Sequence, residues 1–107
     1  MEGRILVEYL SREQIMNELQ ESFQPFLNKY GIEAIGIFEE EGQDDRYYIG
    51  YTTQKDGKIH HIHLPFQKNS DGGLAPIDRK WTVESDNPQE KDLKDFEDLD
   101  HVFREIY

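Results

Sequence analysis

The sequence predicts an α+β domain of two layers: an antiparallel meander of four or five strands, with an N-terminal and a C-terminal helix packed on one face. Three observations carry this. Apolar residues recur at helical spacing near each end, at Ile15, Leu19, Phe23, Phe26, Leu27 and Tyr30 and again at Leu93, Phe96, Leu99, Val102, Phe103 and Ile106. The middle reads instead as short β-rich runs, 32–39, 46–54, 59–66 and 77–84. Between two of these runs stands Lys55-Asp56-Gly57-Lys58, and Asp-Gly is a strong signal for a two-residue hairpin turn.

Taken in order, residues 4–10 (RILVEYL) read as a lead-in or a fifth strand. Ser11 then opens a helix. Gln14 three residues on completes a capping box, and Leu10 with Ile15 makes the accompanying hydrophobic staple. Pro25 should kink or end this helix, and Gly31 stops it. A strand over 32–39 leads into the acidic turn Glu39-Glu40-Glu41-Gly42-Gln43-Asp44-Asp45. Residues 67–76 carry loop chemistry, and 77–84 form the last strand. Asp86 or Asn87 then caps a second helix, with Pro88 at its first position.

The chain has 107 residues, the length of one domain. Its net charge of −11 is unevenly spread. Residues 1–45 hold eleven acids and three bases, 46–83 three and six, 84–107 nine and three. Low apolar content raises the question of disorder, but thirteen aromatics argue for a packed core. A field of this sign repels phosphate backbones and anionic bilayers, so neither nucleic acid nor membrane is an expected partner. The absence of cysteine excludes disulfides and thiolate chemistry. Met1-Glu2-Gly3-Arg4 lacks a signal-peptide layout, and a cytoplasmic location is expected.

If Asp56-Gly57 is the turn, residues whose numbers sum to 113 face each other. Tyr51 meets Ile62, Ile49 meets Leu64 and Tyr47 meets Phe66, all on the core side, with His60 at its margin. Ile77, Trp81 and Val83 join that core. Tyr48, Gly50, Thr52, Ile59, His61 and His63 fall on the opposite, helix-free face, with Asp78, Lys80, Thr82 and Glu84 if the last strand lies alongside. His61 and His63, at i and i+2, are candidate metal ligands, and Asp78 or Glu84 could supply a third. Tyr48, Thr52, His61 and His63 are the candidate binding set. No cofactor is expected: Asp71-Gly72-Gly73 lacks phosphate-loop spacing. With the core taking the other strand aromatics, Tyr48 alone makes no base-stacking platform.

The second helix interleaves acids with its apolar stripe, which makes Asp95 and Asp98 candidate docking residues for a basic protein partner. The first functional reading is therefore a non-catalytic interaction or adaptor domain. The alternative is a small-molecule or metal-binding protein, conceivably an enzyme, centred on His61 and His63. An edge strand could also pair two copies into a homodimer.

The stretch SREQIMNELQESFQPFLNKYGI, the YYIGY strand and the acidic C-terminal segment together resemble small uncharacterised acidic proteins of Bacillus-type bacteria, filed as domains of unknown function. The resemblance implies a bacterial cytoplasmic setting and assigns no functional residue. The layout is also similar to small acidic secretion-chaperone-like domains, but lacks their mid-sheet helix.

Overall fold

The computed structural model describes residues 9–107. Among them are three helices and six strands. Helix α1, Arg12–Glu21, starts as its capping box requires. Ser11 Oγ accepts the Gln14 N–H at 3.1 Å, and Gln14 Oε1 accepts the Ser11 N–H at 2.9 Å. Leu10 packs on the same apolar cluster as Ile15, as the staple demands. The predicted strand over 4–10 lies outside the described residues except at its end, where Leu10 bridges to Leu74.

The first helix does break, but at Ser22 rather than at the proline. Helix α2, Phe23–Tyr30, begins just after it. Proline has no N–H to give the carbonyl four residues back, so a continuous helix cannot pass position 25 undamaged. Breaking at Ser22 puts Pro25 in a first turn, where no helical N–H is missed. Gly31 ends α2 with φ 64°, the left-handed conformation that glycine adopts without steric cost.

Strands β1 (Ala34–Glu41), β2 (Arg46–Lys55) and β3 (Lys58–Lys68) form an antiparallel meander. The β2–β3 register is the one the turn dictates. Tyr51 pairs with Ile62, Ile49 with Leu64, and Tyr47 with Phe66. Asp56 and Gly57 both have positive φ, 52° and 76°, as a type I′ turn needs. Asp44 and Asp45 take the same left-handed region in the β1–β2 turn.

Beyond β3 the sheet is larger than expected. Strand β4 (Leu74–Pro76) pairs with one end of β3, and β5 (Trp81–Ser85) with the other. Strand β6 (Leu93–Phe96) adds to β5, giving the order β1-β2-β3-β5-β6 with β4 off that path. Residues 67–76 are thus not loop throughout. Asn69 Oδ1 accepts the N–H groups of Asp71 and Gly73, and this turn sends the chain back against β3. The last predicted strand starts late, at Trp81. Ile77 is 39% exposed instead of in the core, because Asp78 turns the chain by accepting the Lys80 N–H.

The predicted second helix is largely replaced. Asn87 does cap a turn, accepting from Gln89, but the chain then becomes β6. Helix α3 spans only Leu99–Ile106, and its N-cap is Asp98, which accepts the His101 N–H at 2.7 Å. Leu93 and Phe96 belong to β6, opposite Val83 and Trp81. They are three apart while their partners are two apart, because a bulge around Asp95 (φ 67°) inserts a residue. A bulged strand thereby imitates helical spacing.

All three helices cover one face. Val102 and Phe103 pack with Ile62 and Val83, joined by Phe26, Leu27 and Tyr30, while Ile15 and Met16 pack with Ile49, Phe66 and Leu74. His60 lies buried on this side, edge-on to Tyr107 at 5.5 Å, and not at the margin.

Candidate functional site

The helix-free face is assembled by register. Phe38 pairs with Gly50, and Gly50 with His63, which in turn pairs with Thr82. The neighbouring row runs Gly36, Thr52, His61, Glu84. Gly50 carries no side chain, so the Phe38 ring closes the gap. It stacks on His63 with centroids 5.2 Å apart and planes 21° from parallel, and approaches His61 at 5.1 Å. Tyr48 meets His63 edge-on at 5.4 Å.

His63 is therefore enclosed, with only 8% of its surface exposed, although no helix among the described residues covers it. The expectation of an open surface histidine is corrected by these aromatic neighbours. His63 Nε2 lies 3.6 Å from Glu84 Oε2, and its Nδ1 is buried without a hydrogen-bond partner. Burial lowers the His63 pKa below the ordinary imidazole value, and the Glu84 charge opposes that only in part. The ring is neutral near pH 7. The tautomer that carries hydrogen on Nε2 points a donor at Glu84 and leaves a lone pair at Nδ1.

His61 is engaged differently. Its Nδ1 lies 2.8 Å from Thr52 Oγ1, and its Nε2 3.4 Å from Asp86 Oδ1. Of the four sequence-predicted binding residues, Thr52 and His61 hold each other, while Tyr48 and His63 pack together. Glu84 reaches His63 because β5 does neighbour β3, whereas Asp78 sits in the turn before β5. Among the described residues no group of three His, Asp or Glu side chains could hold a metal ion.

Asp95 and Asp98 do not share a helix face. Asp95 is exposed in β6, and the Asp98 carboxylate is occupied as a cap. Sequence reasoning missed Phe38 and Asp86. Phe38 could have been placed by carrying the strand pairing across the acidic turn; Asp86 carries no signal beyond its type.

Beside His63 the face sinks into a hollow of about 350 Å³, lined by Glu40, Tyr48, His63, Glu84, Asp92 and Lys94 among others. On the opposite, helix-bearing side, Glu39 is held by Arg12, whose Nε donates to it at 2.6 Å, and by the Tyr47 hydroxyl at 2.6 Å. The Arg12 hydrogen bonds lower the Glu39 pKa to about 2. This cluster ties α1 to β1.

With this geometry fixed, comparison decides the family: a family model described as a family of unknown function, DUF5634, matches residues 9–106. The chain belongs to DUF5634. A search of curated proteins finds no match to the chain. The DUF5634 match includes every strand and helix described above, so the helix-free face lies wholly inside the family's span. No helix among the described residues of this DUF5634 chain is long and apolar enough to cross a membrane.

Proposed function

We propose that the protein is a non-catalytic binding domain that recognises a protein partner through the helix-free face of its sheet. One observation carries this reading. That face has an aromatic floor of Phe38, Tyr48 and His63 beside a hollow rimmed by charge, while every helix packs on the other side. The two imidazoles on it are spent on structure. His61 is held by Thr52 and Asp86, and His63 is packed between aromatic rings and kept neutral by burial. A general base needs a lone pair within reach of a substrate proton, and neither ring offers one freely. A rigid sheet surface with fixed side chains suits recognition instead, since little ordering entropy remains to be lost on contact.

The test is a photo-crosslinking side chain introduced at Tyr48 and, in a parallel variant, at Glu18 on the exposed side of α1. Irradiation in cell extract should give one discrete adduct from position 48, suppressed by excess unlabelled protein, and none from position 18. Adducts from both positions or from neither would sink the reading.

A further inference from the structure

The hollow on the helix-free face is lined by the carboxylates of Glu40, Glu41, Glu84 and Asp92 against one cation, Lys94. Two of the four are engaged: Glu41 with Lys68 at 2.9 Å, and Glu84 with His63. Glu40 and Asp92 pair with no cation among the described residues. An acidic rim alone is a solvated surface. Here a second observation accompanies it: His63, more than nine-tenths buried, lines the same hollow with one ring nitrogen unpartnered. As a neutral ring it leaves the Glu84 charge uncompensated. It also sits against Tyr48, which lines the hollow beside it and supplies an aromatic ring of the kind that attracts a cation. Negative rim and aromatic floor converge on one ligand chemistry.

We propose that this hollow takes the cationic side chain of a lysine or arginine from the partner protein. The inference rests on the helix-free face being the interface, and it names what that face reads. The charge of the rim draws the basic segment in, and the Tyr48–His63 floor seats its side chain. Lys94, at the rim, opposes binding and limits it.

The experiment is an NMR titration of the full chain with a short Lys/Arg peptide, the same peptide with acetyl-lysine and citrulline, and free spermidine. The basic peptide should shift the amides of Tyr48, Gly50 and His63 saturably, and added salt should weaken it. Glu40→Gln and Asp92→Asn should each weaken binding roughly three- to fivefold, and Lys94→Gln should tighten it by a similar factor, the range expected for exposed charge pairs. All three positions are exposed, and unchanged thermal melting would verify that the variants fold. Equal binding of the neutral peptide, or affinities indifferent to the three substitutions, would overturn the proposal. Tighter binding of spermidine than of the peptide would also overturn it, by making the hollow a site for free amines. A Tyr48 adduct that survives while the peptide fails would leave the interface standing and remove only its cationic occupant; loss of both would remove both.

Discussion

An alanine at position 50 would place its Cβ 1.8 Å from the Ile62 carbonyl oxygen and 2.6 Å from the His63 Cα. Both are backbone atoms of β3, which cannot turn aside as a side-chain tip can. Gly50→Ala should therefore force β2 and β3 apart and cost about 3 kcal/mol, at the upper end of overpacking penalties. Gly36, on the same face, has nothing within 4 Å of a built Cβ. Gly36→Ala should be neutral or stabilising by up to about 1 kcal/mol, because it removes only unfolded-state freedom. Urea denaturation of the two variants gives the comparison, and similar midpoints would refute the argument that close approach requires Gly50. The buried histidines supply a pH dependence. His60 and His63 have pKa values lowered chiefly by burial, below the ordinary 6.5. Below pH 6.5 the unfolded chain binds protons that the folded one refuses, so stability is full above that value and falls as the pH drops through the folded values. Glu39 acts in a lower window, from its ordinary 4.5 down to about 2. Urea midpoints should decline from pH 7 to pH 5, and His60→Leu, which removes one of the two titrations, should make that decline shallower. An unchanged slope would exclude His60 as a contributor.

Two elements that obey a local rule were legible in the sequence. The Asp56-Gly57 turn set the β2–β3 register, and Ser11 with Gln14 set the start of α1, because in both the decisive contacts lie within a few residues. Two short elements that depend on distant pairing were not legible. Strand β4 is three residues long and exists because β3 offers an edge. Strand β6 has a bulge that gives Leu93 and Phe96 a helical interval, so its period was read as 3.6. Of the candidate site, the shared face of Tyr48, Thr52, His61 and His63 followed from the register. The burial of His63 did not, since Phe38 reaches it across a third strand. The corrected boundary of α3 makes its own prediction. Asp98 is the N-cap, so Asp98→Ala should cost about 1 kcal/mol by leaving the His101 N–H unpaired. Asp95 holds φ 67° in the bulge, where a β-branched side chain is strained and glycine is not. Asp95→Val should destabilise by about 1–2 kcal/mol, the strain of a left-handed residue, while Asp95→Gly should not. Thermal melts of the three variants check this. If Asp95→Val proved harmless, the segment would be helical after all and the strand assignment wrong.

At the scale of the molecule, the core divides into two clusters that use the same strands. One gathers Ile62, Val83, Phe96, Val102 and Phe103 beneath α2 and α3; the other gathers Ile15, Met16, Ile49, Phe66 and Leu74 beneath α1. Strand β3 supplies Ile62 to the first and Phe66 to the second, and β2 lies hydrogen-bonded against it over ten residue pairs. Opening either cluster would strip apolar cover from one end of β3 while the other end stayed paired. We therefore propose that the chain unfolds as a single domain, despite a long axis of 53 Å against 29 and 23 Å. Leu74→Ala and Val102→Ala, one in each cluster, remove buried atoms from sites with almost no exposure. The leucine substitution should cost about 2–5 kcal/mol and the valine somewhat less, a large part of the total for a domain of this size. Cooperativity decides how those losses appear. Trp81 packs against the first cluster, so its fluorescence reports there, while far-ultraviolet circular dichroism reports on the whole backbone. Both signals should give one coincident transition, and both should move together in either variant, even for Leu74→Ala, which lies outside the tryptophan's cluster. A Leu74→Ala protein whose circular dichroism falls early while Trp81 fluorescence holds its original midpoint would mean that the α1 end opens by itself, and that the shared strands do not couple the two clusters.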